Sequence, residues 1–162
     1  MIRIITGQNE RAGEWARRIF GRQDFFADGT FSSLILERDL EIVAVSLYNQ
    51  FVRGNSIDLN LAAVPTKRWM TAAFLRATFR YPFLELGVRR LGALVASDNI
   101  ASLKLTSHAG FKLEGIAREA WAPGVDIACF GMLRHECKWL DGPAPEIWRI
   151  EPNGQAVSPR ST

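Results

Sequence analysis

No apolar run in this chain approaches the roughly 20 residues that span a bilayer, so no membrane-spanning helix is expected. Cysteine is scarce. Cys129 and Cys137 are too few to staple a small domain and read as free thiols of a reducing compartment. The opening Met1-Ile2-Arg3-Ile4-Ile5-Thr6 reaches Gly7 before a signal-peptide core could form, so cytoplasmic residence is expected. Two histidines, His108 and His135, support no Ser-His-Asp arrangement. With the cysteines they lack the paired spacing of a structural zinc site, so no metal is expected. Charge of one sign is weak as well: 20 Lys and Arg face 17 Asp and Glu, a net charge of +3. That suits anionic ligands but is too small to argue for nucleic acid. There is no internal repeat. What remains is an ordinary globular composition, 48% hydrophobic and 23% charged over 162 residues, enough for one domain with its own core.

Proline marks the one break in composition. Pro143, Pro145, Pro152 and Pro159 all follow Leu140, so residues 141–162 read as an irregular tail after a domain spanning 1–140. Ile147, Trp148 and Ile150 form an apolar knot expected to dock its first half.

Before the tail, apolar spacing alternates between period 2 and period 3.6. Ile2–Thr6, Leu34–Glu37, Glu41–Phe51 and Ser56–Ala63 read as strands, the last three as a meander. Asn9 is placed to cap a helix running to about Phe20 with Trp15 and Ile19 on one face. Leu75, Phe79, Phe83 and Leu86 stripe a helix over 71–86, in which Pro82 predicts a bend. Leu91–Ala96, a helix ending at Ala109-Gly110, and strands 111–122 and 125–133 complete an α/β (α+β) chain with a mixed sheet.

The segment 89–140 carries the most specific pattern. Ser97-Asp98-Asn99-Ile100-Ala101-Ser102 is followed by Gly110-Phe111-Lys112-Leu113-Glu114-Gly115-Ile116-Ala117-Arg118-Glu119, then Gly131-Met132-Leu133-Arg134-His135-Glu136. This order resembles the GNAT N-acetyltransferase superfamily, nearest its ribosomal-protein N-acetyltransferase-like branch and the small GNAT proteins of bacteriophages. The resemblance covers about 71–140 well and 1–70 loosely.

It implies a splayed, mostly antiparallel mixed sheet of six to seven strands with helices on both faces. It further implies acetyl-CoA as co-substrate, a primary amine as acceptor, and the cytoplasm of a bacterial or phage-infected cell. The cofactor arm would run along Leu61, Ala62, Ala63 and Val64. Its diphosphate would meet Lys67, Arg68, Trp69, Met70 and Thr71 at the start of the second helix. The family's glycine-rich loop is replaced here by Pro65-Thr66-Lys67-Arg68-Trp69-Met70, which has no glycine. Charge from Lys67 and Arg68, with the free amides of the helix start, would have to replace the glycine nest. Asn99 would bond the cofactor arm and Ser102 would stand near the departing thiolate. The tyrosine acid often found four residues later is Thr106 here.

The remaining candidates come from strand alternation. Asp58 and Asn60 face opposite to Ile57, Leu59 and Leu61, which makes Asp58 the candidate general base or else part of a solvated polar stripe. Tyr48, Asn49 and Asn60 are candidate substrate contacts, with Tyr48 equally readable as core. Asn99 is equally readable as a plain helix cap. Two other functions share the fold: a binding module that has lost acetyl-CoA, and a nucleic-acid-modifying enzyme. The latter would need a basic face from Arg76, Arg80, Arg89, Arg90, Lys104 and Lys112. A homodimer is compatible with the chain.

Overall fold

Short alternating segments open the chain, and the second to fourth of them pair into a meander because tight turns join them. In the computed structural model, which describes residues 1–157, these are β1 (Ile2–Thr6), β2 (Ser32–Arg38), β3 (Glu41–Val52) and β4 (Ser56–Ala63). Beyond them come β5 (Arg90–Ala96), β6 (Lys112–Ala122), β7 (Val125–Leu133), β8 (Ile147–Ile150) and β9 (Ala156–Val157). All nine join one sheet in the order β6-β7-β5-β4-β3-β2-β1-β8-β9. Neighbours are antiparallel except β4 beside β5 and β1 beside β8.

Helix α1 (Asn9–Phe20) covers one face. Its fully buried Ala12 and Ala16 pack with Ile5, Ile35, Val45, Leu47 and Ala62. The other face carries α2 (Ala72–Arg80) and α3 (Ile100–Ala109). There Phe74, Phe79, Phe83 and Val88 bury against Ile57, Leu59, Leu91 and Met132. Burying one such large side chain contributes about 1.5–3 kcal/mol, so this larger cluster dominates the core.

Several details differ from the sequence expectation. The sheet has nine strands rather than six to seven, because residues expected to form an irregular tail supply β8 and β9. Ile147, Trp148 and Arg149 lie alongside Ile4, Ile5 and Thr6. Pro159 and the rest of the Ser158–Thr162 end lie outside the described residues. Asn9 does not cap α1. Gln8 holds that position, while the Asn9 amide donates to the Phe31 carbonyl at 3.0 Å and its oxygen accepts from Ser33. The packed face of α1 is Ala12/Ala16, with Ile19 left 42% exposed, because only small side chains let the helix approach the sheet closely. At Pro82 the second helix widens into a π turn over Tyr81–Glu85, closed by the Leu86 amide on the Tyr81 carbonyl at 3.0 Å. A proline has no amide to donate, so the ladder slips by one residue there.

Candidate active site

The site begins where pairing fails. β4 and β5 run parallel for only three residue pairs, Ser56–Arg90, Ile57–Leu91 and Asp58–Gly92, and then diverge. The divergence opens a cleft of about 140 Å3 that passes between the two strands. On the helical side its walls are Trp69, Leu75 and Phe79 with Asn99, Ser102 and Thr106 of α3. On the α1 side they are Phe20, Phe25, Asn60, Leu94 and Trp121. No residue of α3 is fully buried, so this helix rests lightly over the gap.

The diverging edge of β4 leaves backbone groups unpaired. The Val64 amide donates to the Val43 carbonyl at 3.0 Å, and β4 and β3 hold one register from Asp58 to Ala63. Antiparallel amides alternate in direction, so Leu61 and Ala63 point their N–H groups towards the gap, whereas Ala62 and Val64 are committed to β3.

The loop 64–71 folds without glycine by anchoring itself elsewhere. The Lys67 amide closes a turn on Val64 at 3.0 Å, and the Lys67 ammonium pairs with Glu41. The Arg38 guanidinium donates to the Arg68 carbonyl at 2.8 Å. Trp69 is only 9% exposed and belongs to the core beneath the loop. Met70, by contrast, is exposed. Thr71 caps α2, its hydroxyl accepting from the Phe74 amide at 3.2 Å. Ala72 and Ala73 therefore carry the open amides at that helix start. Asn99 caps α3 in the same way, accepting from Ser102 at 3.1 Å, which leaves its amide nitrogen free to donate.

Asp58 projects from the α1 side of β4, directly across from Asn49 on β3. Asn60, on the same face, donates to Asn49 at 3.1 Å. The carboxylate of Asp58 lies over Gly92, where any Cβ would collide with it. Burial pushes its carboxyl above the usual range, and Arg90 only partly opposes that rise. Arg90 is itself engaged by Glu114, at 2.7 Å for the longer of two contacts.

Tyr48 falls on the opposite face. It is 1% exposed and donates to the Thr78 carbonyl at 2.8 Å, so it is a core residue and does not line the acceptor side. Burial holds its hydroxyl protonated by pushing it well above the ordinary tyrosine range.

Of the candidate basic face, only Arg90 and Lys112 meet carboxylates among the described residues, Glu114 and Glu136. Arg76 and Arg80 donate to the Asp141 and Leu140 carbonyls, Arg89 bonds Asn55, and Lys112 pairs with Glu136. Trp121 walls the cleft, as do Phe20 and Phe25, none of which sequence reasoning placed at the site. The only signal for Phe20 and Phe25 was a run of aromatics at 20–31 among turn-forming Gly21 and Gly29. Cys129 and Cys137 are free thiols, and burial pushes the Cys137 thiol up. Among the described residues no cluster of three or more His, Cys, Asp and Glu could hold a metal ion, and no helix is long and apolar enough to cross a membrane.

A mostly antiparallel sheet splayed between two parallel central strands, with helices on both faces, is the architecture of the GNAT N-acetyltransferases. A variant of the spermidine N-acetyltransferase SpeG from Vibrio cholerae shares it with a TM-score of 0.68 and 12% identity, over 86% of this chain and 96% of that one. A dodecameric SpeG structure from the same organism gives 0.66 and 12%, over 82% and 94%. A GNAT-family acetyltransferase from Desulfovibrio desulfuricans gives 0.61 and 14%, over 82% and 99%. No protein-family model matches the chain, and no curated protein matches it.

Proposed function

We propose that this protein is an acyl-CoA-dependent N-acyltransferase that moves an acetyl or other short acyl group to a primary amine. The observation that carries the reading is the cleft through the sheet. It joins a side with helix termini and open strand amides to a side walled by Asn60 and aromatic rings, and the half-buried Asp58 carboxylate stands two residues before Asn60 on the same face of β4.

The thioester arm of acetyl-CoA fits the helical side. The outward amide of Leu61 would bond the arm, as a missing β-strand would, leaving that of Ala63 for the thioester carbonyl. Arg68 and the open amides of Ala72 and Ala73 would face the diphosphate, with Lys67 exchanging Glu41 for phosphate. The amide nitrogen of Asn99 and the hydroxyls of Ser102 and Thr106 line the same side.

The amine enters from the α1 side, past Asn60. Its nitrogen attacks the thioester carbonyl while the Ala63 amide steadies the oxyanion. The carbon–sulfur bond then breaks and the nitrogen loses a proton to Asp58, directly or through one water. The thiol, with a pKa of about 8.5, leaves as thiolate beside Ser102 with little acid help. A carboxylate with its pKa raised by burial is a better base near neutrality than an ordinary aspartate. Holding both partners in line across one gap supplies much of the rest.

One observation favours a second reading, a binding module. Lys67 is already paired with Glu41 and the cleft is narrow. Calorimetric titration with acetyl-CoA separates the two. At about 100 times its Kd the ligand should add about 2.7 kcal/mol of stability. No heat and no thermal shift at millimolar acetyl-CoA would hand the site to the binding module.

A further inference from the structure

We infer that the acceptor is a primary amine carried on a flat, apolar, preferably aromatic body, and that polyamines are poor acceptors. This rests on the acyl-transfer reading of the cleft and specifies its substrate.

The α1-side mouth is a wall of rings. Phe20 and Phe25 lie 5.1 Å apart between centroids, and Phe25 and Trp121 lie 6.1 Å apart at 59°. All three are half-buried and line the cleft together with the exposed Leu94.

Each ring is held in place by specific contacts. The Arg17 guanidinium donates to the Phe25 carbonyl at 3.3 Å, tying the 21–31 segment back to α1. Trp121 stands on a bulged corner between β6 and β7, where pairing slips between Ala117 and Ala122. Glu119, at φ 50°, makes that corner. Its amide donates to Asp126 at 2.8 Å and its carboxylate accepts from the Gly124 amide at 2.8 Å. A bulge braced on both sides re-aims a side chain, and here the side chain is the indole facing the cleft.

Charge excludes the alternative. None of the side chains lining the cleft is charged. Arg22, at the mouth, sits 4.8 Å over the Trp121 ring and is paired with Asp24. It occupies the indole face that an ammonium would seek. A polyamine needs carboxylates spaced along its length. The lining of this channel offers none: Asp24 at the mouth is engaged by Arg22, and Asp58 lies outside the lining, two residues before Asn60 on the same face of β4. A ring stacked among Phe20, Phe25 and Trp121 puts a short aminoalkyl arm towards Asn60 and the gap.

The test compares 2-phenylethylamine with spermidine on the full chain, reading thiol release from acetyl-CoA and, separately, quenching of tryptophan fluorescence by the amine alone. The expected kcat/KM for 2-phenylethylamine exceeds that for spermidine by at least about tenfold. Trp121→Ala and Phe25→Ala should each raise its KM by roughly tenfold, the scale of one lost stacking contact. Both should leave acetyl-CoA binding by calorimetry within about twofold, so a misfolded variant is recognised at once.

Equal or better use of spermidine overturns the inference. So does acetyl-CoA binding together with no quenching and no turnover of the aromatic amine, an outcome that leaves acyl transfer itself standing. Failure of acetyl-CoA to bind removes the transfer reading. Quenching by 2-phenylethylamine, lost in Trp121→Ala, would then still decide for or against the aromatic pocket.

Discussion

Two carboxylates on the strands either side of β3 have opposite surroundings. Glu37 on β2 is 3% exposed and is gripped by Arg3 from β1 and by Arg11 from α1, the latter at 2.8 Å. Burial alone would raise its carboxyl, but the two guanidinium groups outweigh that and hold it below the ordinary glutamate range. Asp58 on β4 has no such grip. Burial dominates, Arg90 is turned towards Glu114, and the carboxyl stands above its ordinary range. One carboxylate ties a helix to two strands. The other is kept at an energetic disadvantage beside an opening in the sheet, the pattern expected where function and stability compete.

The sharpest way to break this contrast is Asp58→Asn. Turnover of an accepted amine should fall about 10²–10⁴-fold while acetyl-CoA affinity holds, because a base acts on the acceptor. The folded carboxyl is raised, so its ionised form opposes folding. That penalty is absent below the unfolded value and grows as pH rises through the folded one. The variant should therefore melt no lower than the parent at pH 7, and higher if the penalty is large. Unchanged kcat across pH 6–9 would return Asp58 to a structural role.

Glu37→Ala probes the other side and should cost about 2–4 kcal/mol at pH 7, since it strands two partly buried cations. Urea denaturation reads this directly. The sign for pH is opposite to that of Asp58: a lowered carboxyl stabilises above its unfolded value and loses that contribution as pH falls through the folded one. The gap between parent and Glu37→Ala should therefore narrow in acid, below about pH 4. A gap that stays constant from pH 7 to pH 3 would mean that packing, and not the ion pairs, holds α1.

The smallest effect is expected at the loop. Lys67→Ala combined with Arg68→Ala should weaken acetyl-CoA several-fold at low salt and much less at physiological salt, because exposed pairs are screened over about 8–10 Å. Salt-independent weakening would point to backbone amides as the true anion site.

The residue pattern carried more of the fold than of the site. Strand boundaries at Ile2–Thr6, Ser56–Ala63 and Val125–Leu133 were legible because alternation and turn residues are local signals. The stripe of Leu75, Phe79 and Phe83 was legible for the same reason. Asn9 misled because a good capping residue one position late can bond a distant carbonyl instead. The tail misled because proline punctuation around Ile147–Ile150 hid a four-residue strand whose partner, β1, lies at the other end of the chain.

At the site, polar alternation put Asp58 and Asn60 on one face of β4, and Asn49, grouped in the sequence with Tyr48, lies directly across from Asp58. The same alternation also puts Tyr48 on the other face, where the Thr78 carbonyl claims its hydroxyl.

By itself, then, the sequence determined most of the helices and strands before residue 141 and which of their faces are apolar, since each follows from spacing of 2 or 3.6 residues. The tertiary structure decided where β4 and β5 part and which amides are left open. It also decided which cations are spent on Glu37, Glu41 and Glu114, and that Phe20, Phe25 and Trp121 meet at one mouth. Those are pairings between residues up to about a hundred positions apart, and their outcome depends on competition for partners that no local pattern encodes.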